Sequence, residues 1–320
     1  MNSTQLRRLF KAIADNDNET INDMANLLIE EEMKKGHNKV ANNLKKILKE
    51  SNNRNIDEKM VQLPVSRRYN QTLAVEIPFN QLQHNMILNE QLESRFKKIE
   101  KEYLAKERLS KYNLRPKTKI LLYGPSGCGK TLGAQRLAWN LGLPLIKVKF
   151  DAIISSFLGE STANLRAIFE MSQQKPCILL LDECDFIAKA RNLGQDVGEI
   201  PRIVNMLLML LDEYKAPGLL IATTNLEKSL DNALFRRFDD VIEIKKPEEV
   251  EIKRIFDMTL SAMKVEKNIN WDMIVEKVKG MSAANIVTIA ENAAKESVLE
   301  GNVMITQKYI ENAIVDIFKY

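Results

Sequence analysis

A glycine-rich segment, Gly124-Pro-Ser-Gly-Cys-Gly-Lys130-Thr131, constrains this chain more than any other feature of its sequence. It follows the apolar run Ile120–Tyr123 and precedes a helical pattern from Leu132 to Leu141. A strand, a loop and a helix in this order, with the spacing G-x-x-x-x-G-K-[ST], are typical of a loop whose backbone N–H groups surround phosphate. The following helix directs the positive end of its dipole at the same anion. The sequence therefore predicts a site for ATP or GTP.

The residues of this loop have different expected roles. We expect Lys130 to reach the β- and γ-phosphates, and the Thr131 hydroxyl to ligate Mg²⁺. Cys128 is interpreted as a small residue that fits the loop, with a thiol-sensitive site as the alternative. A plain glycine turn would not need all eight matched positions between a strand and a helix. The predicted nucleotide contacts are Gly124, Pro125, Ser126, Gly127, Cys128, Gly129, Lys130, Thr131 and Leu132.

Two acids follow the next strongly apolar strand, in Ile178-Leu-Leu-Leu-Asp182-Glu183. In a parallel sheet, the carboxyl ends of the strands share the edge at which the phosphate loop lies. Asp182 is thus expected to hold Mg²⁺ through its water shell, and Glu183 to orient and deprotonate the attacking water. Asn225 ends a further apolar strand, Leu219–Thr223, and is expected to position that water beside the γ-phosphate.

Apolar strands alternate with helical patterns from Lys119 to Lys245, which predicts a parallel sheet covered by helices. After Pro247 the pattern is purely helical. The first fifty residues show three short amphipathic patterns, interpreted either as a substrate or partner module or as an aid to oligomerisation. The expected domains are an N-terminal helical bundle (1–50), a linker (51–78), a large α/β domain (79–247) and a C-terminal helical lid (248–320).

Composition excludes several classes of function. The formal net charge is only +4, so neither nucleic acid nor an anionic membrane is required as a partner. No apolar stretch is long enough to span a bilayer, and the first ten residues lack the apolar region of a secretory signal. Three cysteines and two histidines suggest neither a disulfide framework nor a zinc site. We therefore expect a cytoplasmic protein.

The motifs taken together resemble the AAA family of ATPases, over about Phe79 to Tyr320. The family has a phosphate loop, an acidic strand end, a Thr-Asn pair and a segment like Arg236-Arg237-Phe-Asp239, in this order. The resemblance implies a homo-oligomeric ring, commonly a hexamer, with ATP and Mg²⁺ as cofactors. It also implies that Arg236 and Arg237 act in trans, on the γ-phosphate bound by the neighbouring subunit.

Two further regions are interpreted through this resemblance. At the start of a C-terminal helix the segment Gly280-Met-Ser-Ala-Ala284 has no arginine, so Ala284 is expected to contribute only a backbone or van der Waals contact to the nucleotide. Phe157 and Leu158 precede Gly-Glu-Ser, like the first pore loop of AAA unfoldases, and would grip an extended polypeptide by apolar contact. The alternative is that Phe157 is a core residue.

The narrower resemblance is to stand-alone bacterial AAA ATPases often paired with a subtilisin-like serine protease. It implies a motor that remodels, unfolds or threads protein substrates, with any proteolysis supplied by another chain. Two alternatives stay open. One is a DNA-associated ATPase of the helicase-loader or transposition type, which the mild charge does not favour. The other is a regulatory switch that acts through ATP-dependent assembly.

Overall fold

The computed structural model describes residues 63–65, 71–154, 160–185, 199–225, 232–302 and 304–318, and four positions nearer the start, 25, 27, 29 and 33. The chain divides into two compact units, Met1–Gln62 and Leu63–Tyr320. In the first unit the four described positions are helical, and Ile29 among them is buried. The remainder of the predicted N-terminal helices lies outside the described residues.

A six-stranded sheet forms the centre of the second unit, with strands in the order β1-β3-β4-β5-β2-β6. All neighbours pair in parallel except β1, which runs antiparallel to β3 at the edge. The mainly parallel sheet expected from the sequence is therefore confirmed. The strands are β1 (Ala74–Ile77), β2 (Lys119–Tyr123), β3 (Leu145–Val148), β4 (Ile178–Leu181), β5 (Leu219–Thr224) and β6 (Asp240–Glu243).

Helices flank the sheet and continue beyond it. The segment from Glu90 to Ser110 forms two helices, separated at Ala105. The helices are α1 (Glu90–Leu104), α2 (Lys106–Ser110), α3 (Lys130–Leu141), α4 (Phe150–Ile154), α5 (Glu160–Gln174), α6 (Glu199–Glu213), α7 (Asn232–Phe235), α8 (Glu249–Thr259), α9 (Trp271–Val278), α10 (Ala283–Leu299) and α11 (Gln307–Phe318).

The central strands are apolar almost throughout because helices cover both faces of a parallel sheet. On one face, alternate residues of the strands pack with α1 and α3 in a common core, which includes Leu122, Leu180, Ile221 and Phe96. Side chains alternate between the faces, so the next residue on this face after Leu180 is Asp182. The core face therefore leads directly into the polar residues at the carboxyl edge of the sheet.

The residues after β6 form a second buried cluster, built from α8 to α11. Ser282 caps α10 by accepting a hydrogen bond from the Asn285 N–H at 3.2 Å. Two short strands, β7 (Lys264–Val265) and β8 (Met304–Ile305), pair in parallel beside these helices. This small sheet was not expected from a pattern that looked purely helical.

The edge strand β1 lies inside the segment predicted to be a linker. Ala74 pairs with Val148 and Ile77 with Leu145, and both Leu73 and Ala74 are buried. Four residues are too few for an alternating pattern to be distinguished from a loop by sequence alone. The strand becomes stable because the exposed edge of β3 supplies its hydrogen-bond partners.

Candidate functional site

Three glycines of the phosphate loop adopt backbone conformations that other residues rarely take. The φ angles of Gly124, Gly127 and Gly129 are 136°, 71° and 95°. A Cβ atom at Gly124 would also collide with the carbonyl oxygen of Ile244, at the end of the neighbouring strand. Glycine at these positions lets the loop turn tightly from β2 into α3.

Lys130 begins α3 and is held over the loop. Only 7% of the residue is exposed, and its Nζ donates hydrogen bonds to the carbonyl oxygens of Gly124 at 2.8 Å and Pro125 at 2.7 Å. Burial lowers the pKa of Lys130, although the nearby thiol of Cys128 and the site's carboxylates oppose this. The ammonium group therefore lies at the mouth of the loop, where a bound phosphate would give it an anionic partner.

Asp182 lies at the centre of the site and uses both carboxylate oxygens. Its Oδ1 accepts hydrogen bonds from the hydroxyls of Thr131 at 2.8 Å and Thr223 at 2.6 Å, and its Oδ2 accepts one from Lys147 Nζ at 2.6 Å. Burial alone would raise the pKa of Asp182, but these hydrogen bonds outweigh it and lower the pKa below its usual value. The carboxylate is therefore held ionised beside the first residues of α3.

The pair formed by Thr131 and Asp182 suits Mg²⁺. Hydroxyl and carboxylate oxygens are the hard ligands that Mg²⁺ prefers, and the ion commonly takes only one or two carboxylates together with substrate phosphates and water. The sequence assigned these two residues to the metal, and the structure brings their oxygens within hydrogen-bond distance of each other.

Glu183 turns away from its strand. Its φ angle is 55°, in the left-handed region, and its N–H donates a hydrogen bond to Thr223 Oγ1 at 2.9 Å. A non-glycine residue is seldom found there, and such conformations cluster at functional sites. The turn leaves Glu183 exposed while Asp182, directly before it, stays largely buried.

Asn225 is held by a carboxylate that the sequence analysis did not assign to the site. Asp185 accepts hydrogen bonds from the Asn225 N–H at 2.8 Å, from Asn225 Nδ2 at 3.0 Å and from the Thr224 hydroxyl at 2.7 Å. Burial alone would raise the pKa of Asp185, but these bonds lower it. Asp185 therefore fixes the orientation of the Asn225 amide at the same edge of the sheet as Glu183.

Residues 120–246 match the model of the ATPase family associated with various cellular activities, abbreviated AAA. A relative named "Uncharacterized AAA family ATPase y4kL", from Sinorhizobium fredii (strain NBRC 101917 / NGR234), is 36% identical over 216 residues. The alignment covers 68% of this chain and 65% of that protein, slightly less than two thirds of its length. The chain contains an AAA family ATPase domain. Such domains bind nucleotide, usually with Mg²⁺, and typically assemble into rings.

The adjacent arginines Arg236 and Arg237 have different environments. Arg236 is exposed and makes no hydrogen bond or ion pair with any residue that the structure describes. Arg237 is partly buried, and its Nε donates a hydrogen bond to Asp212 at 3.0 Å. The sequence treated these arginines as equivalent, whereas the structure pairs only Arg237 with an acid of its own chain through that contact.

The arginine segment contacts β2 at both ends of the strand. The Asp239 N–H donates to the carbonyl oxygen of Lys119 at 2.8 Å, whereas the loop follows Tyr123. The ring of Phe235, the residue next to Arg236, packs edge to face on the ring of Tyr123, with centroids 6.1 Å apart. Among the described residues, no hydrogen bond or ion pair joins Arg236 to Asp182, Glu183 or Asn225.

The start of α10 meets the phosphate loop of the AAA domain. The Ala284 N–H donates to the carbonyl oxygen of Gly127 at 2.9 Å, and a Cβ atom at Gly127 would lie 2.8 Å from Ser282 Oγ and 3.3 Å from Ala284 Cβ. Ala284 thus contacts the loop itself through its backbone. Its contact with a nucleotide stays a prediction.

Cys128 is buried between the loop and the core. It is 5% exposed, and burial raises the pKa of its thiol. A raised pKa disfavours the reactive thiolate, which supports the interpretation of Cys128 as a small residue of the loop. Phe157 and Leu158, the predicted pore residues, lie outside the described residues. Across the described part of the chain, no helix is both long and apolar enough to cross a membrane.

Three residues of the site were missed by sequence reasoning: Thr223, Asp185 and Lys147. Thr223 and Lys147 lie on the Asp182 face of the sheet, but only the pairing of β3, β4 and β5 brings them together. The weak signals were a lysine within the apolar run Leu145–Val148 and a second aspartate shortly after Asp182. Neither signal identifies the residue that the side chain contacts, because that residue lies at least 35 positions away along the chain.

Proposed function

We propose that this protein is an ATP-hydrolysing AAA motor that acts as a ring of identical subunits and remodels or threads protein substrates. The observation that carries the proposal is the gathering of Lys130, Thr131, Asp182 and Asn225 at one edge of the sheet, together with the exposed Arg236. One part of the chain has the residues to bind and hydrolyse ATP. Another part has an arginine without a partner among the described residues.

The chemistry assigned to each residue follows from its position. Lys130 and the N–H groups of the loop bind the phosphates, and Thr131 and Asp182 would hold Mg²⁺. Bound Mg²⁺ neutralises charge that develops on the phosphate oxygens. Glu183, exposed beside Asp182, orients the attacking water and accepts its proton. Asn225, with its amide fixed by Asp185, keeps that water in line with the γ-phosphate.

Arg236 completes the site of a neighbouring subunit. Arg236 is exposed and has no hydrogen bond or ion pair among the described residues of its own chain. An arginine supplied in trans typically contributes about 10³–10⁵ in rate. At 1.36 kcal/mol for each factor of ten, this is roughly 4–7 kcal/mol of activation free energy. An isolated subunit should therefore hydrolyse ATP very slowly.

Subunit mixing tests this proposal. We expect Glu183→Gln and Arg236→Ala to bind ATP with nearly normal affinity, and each alone to lose most ATP hydrolysis. In an equal mixture, about a quarter of the interfaces should combine an intact Glu183 with an intact Arg236 from the next subunit. Activity should then partly recover. Failure to recover at any ratio, although both variants assemble, would rule out catalysis in trans.

The Glu183→Gln protein also serves as a substrate trap. With ATP bound, the Glu183→Gln protein should retain bound polypeptide. If Phe157 grips the substrate, the double variant Glu183→Gln/Phe157→Ala should retain much less polypeptide. A subtilisin-like serine protease among the retained proteins would support the partnership that the family resemblance implies. Recovery of DNA instead of polypeptide would contradict the protein-substrate proposal and favour a DNA-associated ATPase.

A further inference from the structure

Lys147 is a polar residue in an otherwise apolar strand, and it points into the nucleotide site. Its Nζ lies 2.6 Å from Asp182 Oδ2, and the side chains of the two residues are 39% and 7% exposed. Lys147 and Leu180 are register partners in β3 and β4. The lysine side chain therefore extends beyond its register partner to reach Asp182, two residues farther along the chain.

This ion pair differs from an ordinary surface pair because the carboxylate is buried. Asp182 Oδ1 is satisfied by two hydroxyl groups, whereas for Oδ2 the described hydrogen bond comes from Lys147. Removing the partner of a buried charge leaves that charge uncompensated, which costs much more than losing an exposed pair. Lys147 therefore compensates the charge of the acid that the proposed function assigns to Mg²⁺.

The Lys147 ammonium group also affects how strongly the site can bind a divalent ion. Mg²⁺ bound beside Thr131 and the Lys147 ammonium would both be attracted to Asp182, and they would repel each other. The more strongly Lys147 compensates Asp182, the smaller is the additional stabilisation that Mg²⁺ can supply. The Lys147 side chain is partly exposed, so its ammonium group can move aside. Lys147 therefore weakens the binding of Mg²⁺ beside Asp182 without preventing it.

We propose that Lys147 is a positioning residue that acts as a built-in counter-ion of Asp182 and weakens the coupling between Mg²⁺ and nucleotide binding. It holds the carboxylate in place when no metal is bound, and it makes the site less dependent on the divalent ion. This inference rests on the proposed binding of Mg²⁺ and nucleotide at Asp182 and the phosphate loop.

The test measures how much Mg²⁺ improves nucleotide binding. The dissociation constant of a fluorescent ADP analogue is measured in EDTA and in saturating Mg²⁺, for the wild type and for Lys147→Met and Lys147→Arg. We expect the ratio of the two constants to rise at least threefold in Lys147→Met and to stay within twofold in Lys147→Arg. Lys149→Met is the matched control, because Lys149 lies directly after the same strand and the described bond of its side chain is to Thr72.

A second measurement needs no ligand. Lys147→Met should lower the thermal stability of the nucleotide-free protein, and Asp182→Asn added to it should restore part of the loss, because the buried charge is then gone. An unchanged Mg²⁺ ratio in a folded Lys147→Met protein would overturn the inference. Failure of the wild type to bind ADP under either condition would instead contradict the proposed function.

Discussion

At the scale of single residues, Asp185 shows how much of the site depends on contacts between distant positions. It accepts three hydrogen bonds from Thr224 and Asn225, about 40 residues later in the chain. Through these bonds it determines which way the amide of Asn225 points. The two orientations of an asparagine amide offer different groups to a water, because its oxygen accepts and its nitrogen donates.

We therefore predict that Asp185→Asn reduces ATP hydrolysis by about tenfold to a hundredfold through misplacement of Asn225. The new side-chain NH₂ would face Asn225 Nδ2, so two donors would oppose each other and the Asn225 amide would turn over. Steady-state kinetics and nucleotide affinity are both measured. Because Asp185 makes its described bonds to Thr224 and Asn225, the dissociation constant for ADP should change less than twofold. Loss of ADP binding would assign Asp185 to nucleotide binding instead.

Sequence reasoning assigned roles to residues within a local motif but did not identify the residues that contact them. Lys130 and Thr131 belong to one short pattern, and Asp182 directly follows an apolar strand. Thr223 has no such pattern, although it donates to Asp182 and accepts from the Glu183 N–H. Its role exists only because β5 pairs with β4 and places Thr223 on the same face as Asp182.

At the scale of elements, the phosphate loop and α10 form one contact. The Gly127 carbonyl accepts a hydrogen bond from the Ala284 N–H, and there is no room between Gly127 and Ser282 for a methyl group. A change in the position of the loop must therefore be accompanied by a change in the helix. This contact provides a direct route by which nucleotide binding could move the C-terminal helices.

We predict that Gly127→Ala lowers both stability and nucleotide affinity, whereas Gly142→Ala lowers stability alone. The φ angles are 71° and 64°, so both substitutions carry a similar backbone strain of about 1–2 kcal/mol. A Cβ atom at Gly142 has no neighbour within 4 Å, but one at Gly127 meets Ser282 and Ala284. Thermal unfolding and ADP titration of both variants measure the difference. Equal behaviour of the two would show that the contact with α10 contributes nothing.

At the scale of the whole molecule, buried carboxylates join distant parts of the sheet and its helices. Asp240, at the start of β6, forms ion pairs with Arg95 of α1 and with Lys117 just before β2. Burial alone would raise the pKa of Asp240, but its hydrogen bonds and charges from Lys117 and Arg95 lower it. The pKa values of Asp182 and Asp185 are lowered as well.

These shifts predict how stability changes with pH. A carboxyl group whose pKa is lower in the folded state stabilises the fold above its unfolded pKa, near 3.9. We expect the free energy of unfolding to fall as the pH drops below about 4 and through the lowered folded values. Denaturant unfolding across this range measures the effect.

Asp240→Asn should be less stable than the wild type near pH 7 and should lose less stability on acidification. Asp257→Asn is the control, because Asp257 is exposed on α8 and its side chain has no hydrogen bond or ion pair among the described residues. If Asp240→Asn showed the same loss of stability on acidification as the wild type, Asp240 would not contribute to the acid dependence.

By itself the sequence determined the phosphate loop, the two acids after β4, the parallel sheet and the resemblance to AAA ATPases. These properties depend on neighbouring residues or on short periodic patterns, which a sequence displays directly. Only the tertiary structure decided that Lys147 and Thr223 hold Asp182, that Asp185 orients Asn225, and that Arg236 is exposed while Arg237 is paired. Those assignments depend on which strands and helices lie side by side, and strand pairing joins positions whose separation along the chain carries no signal.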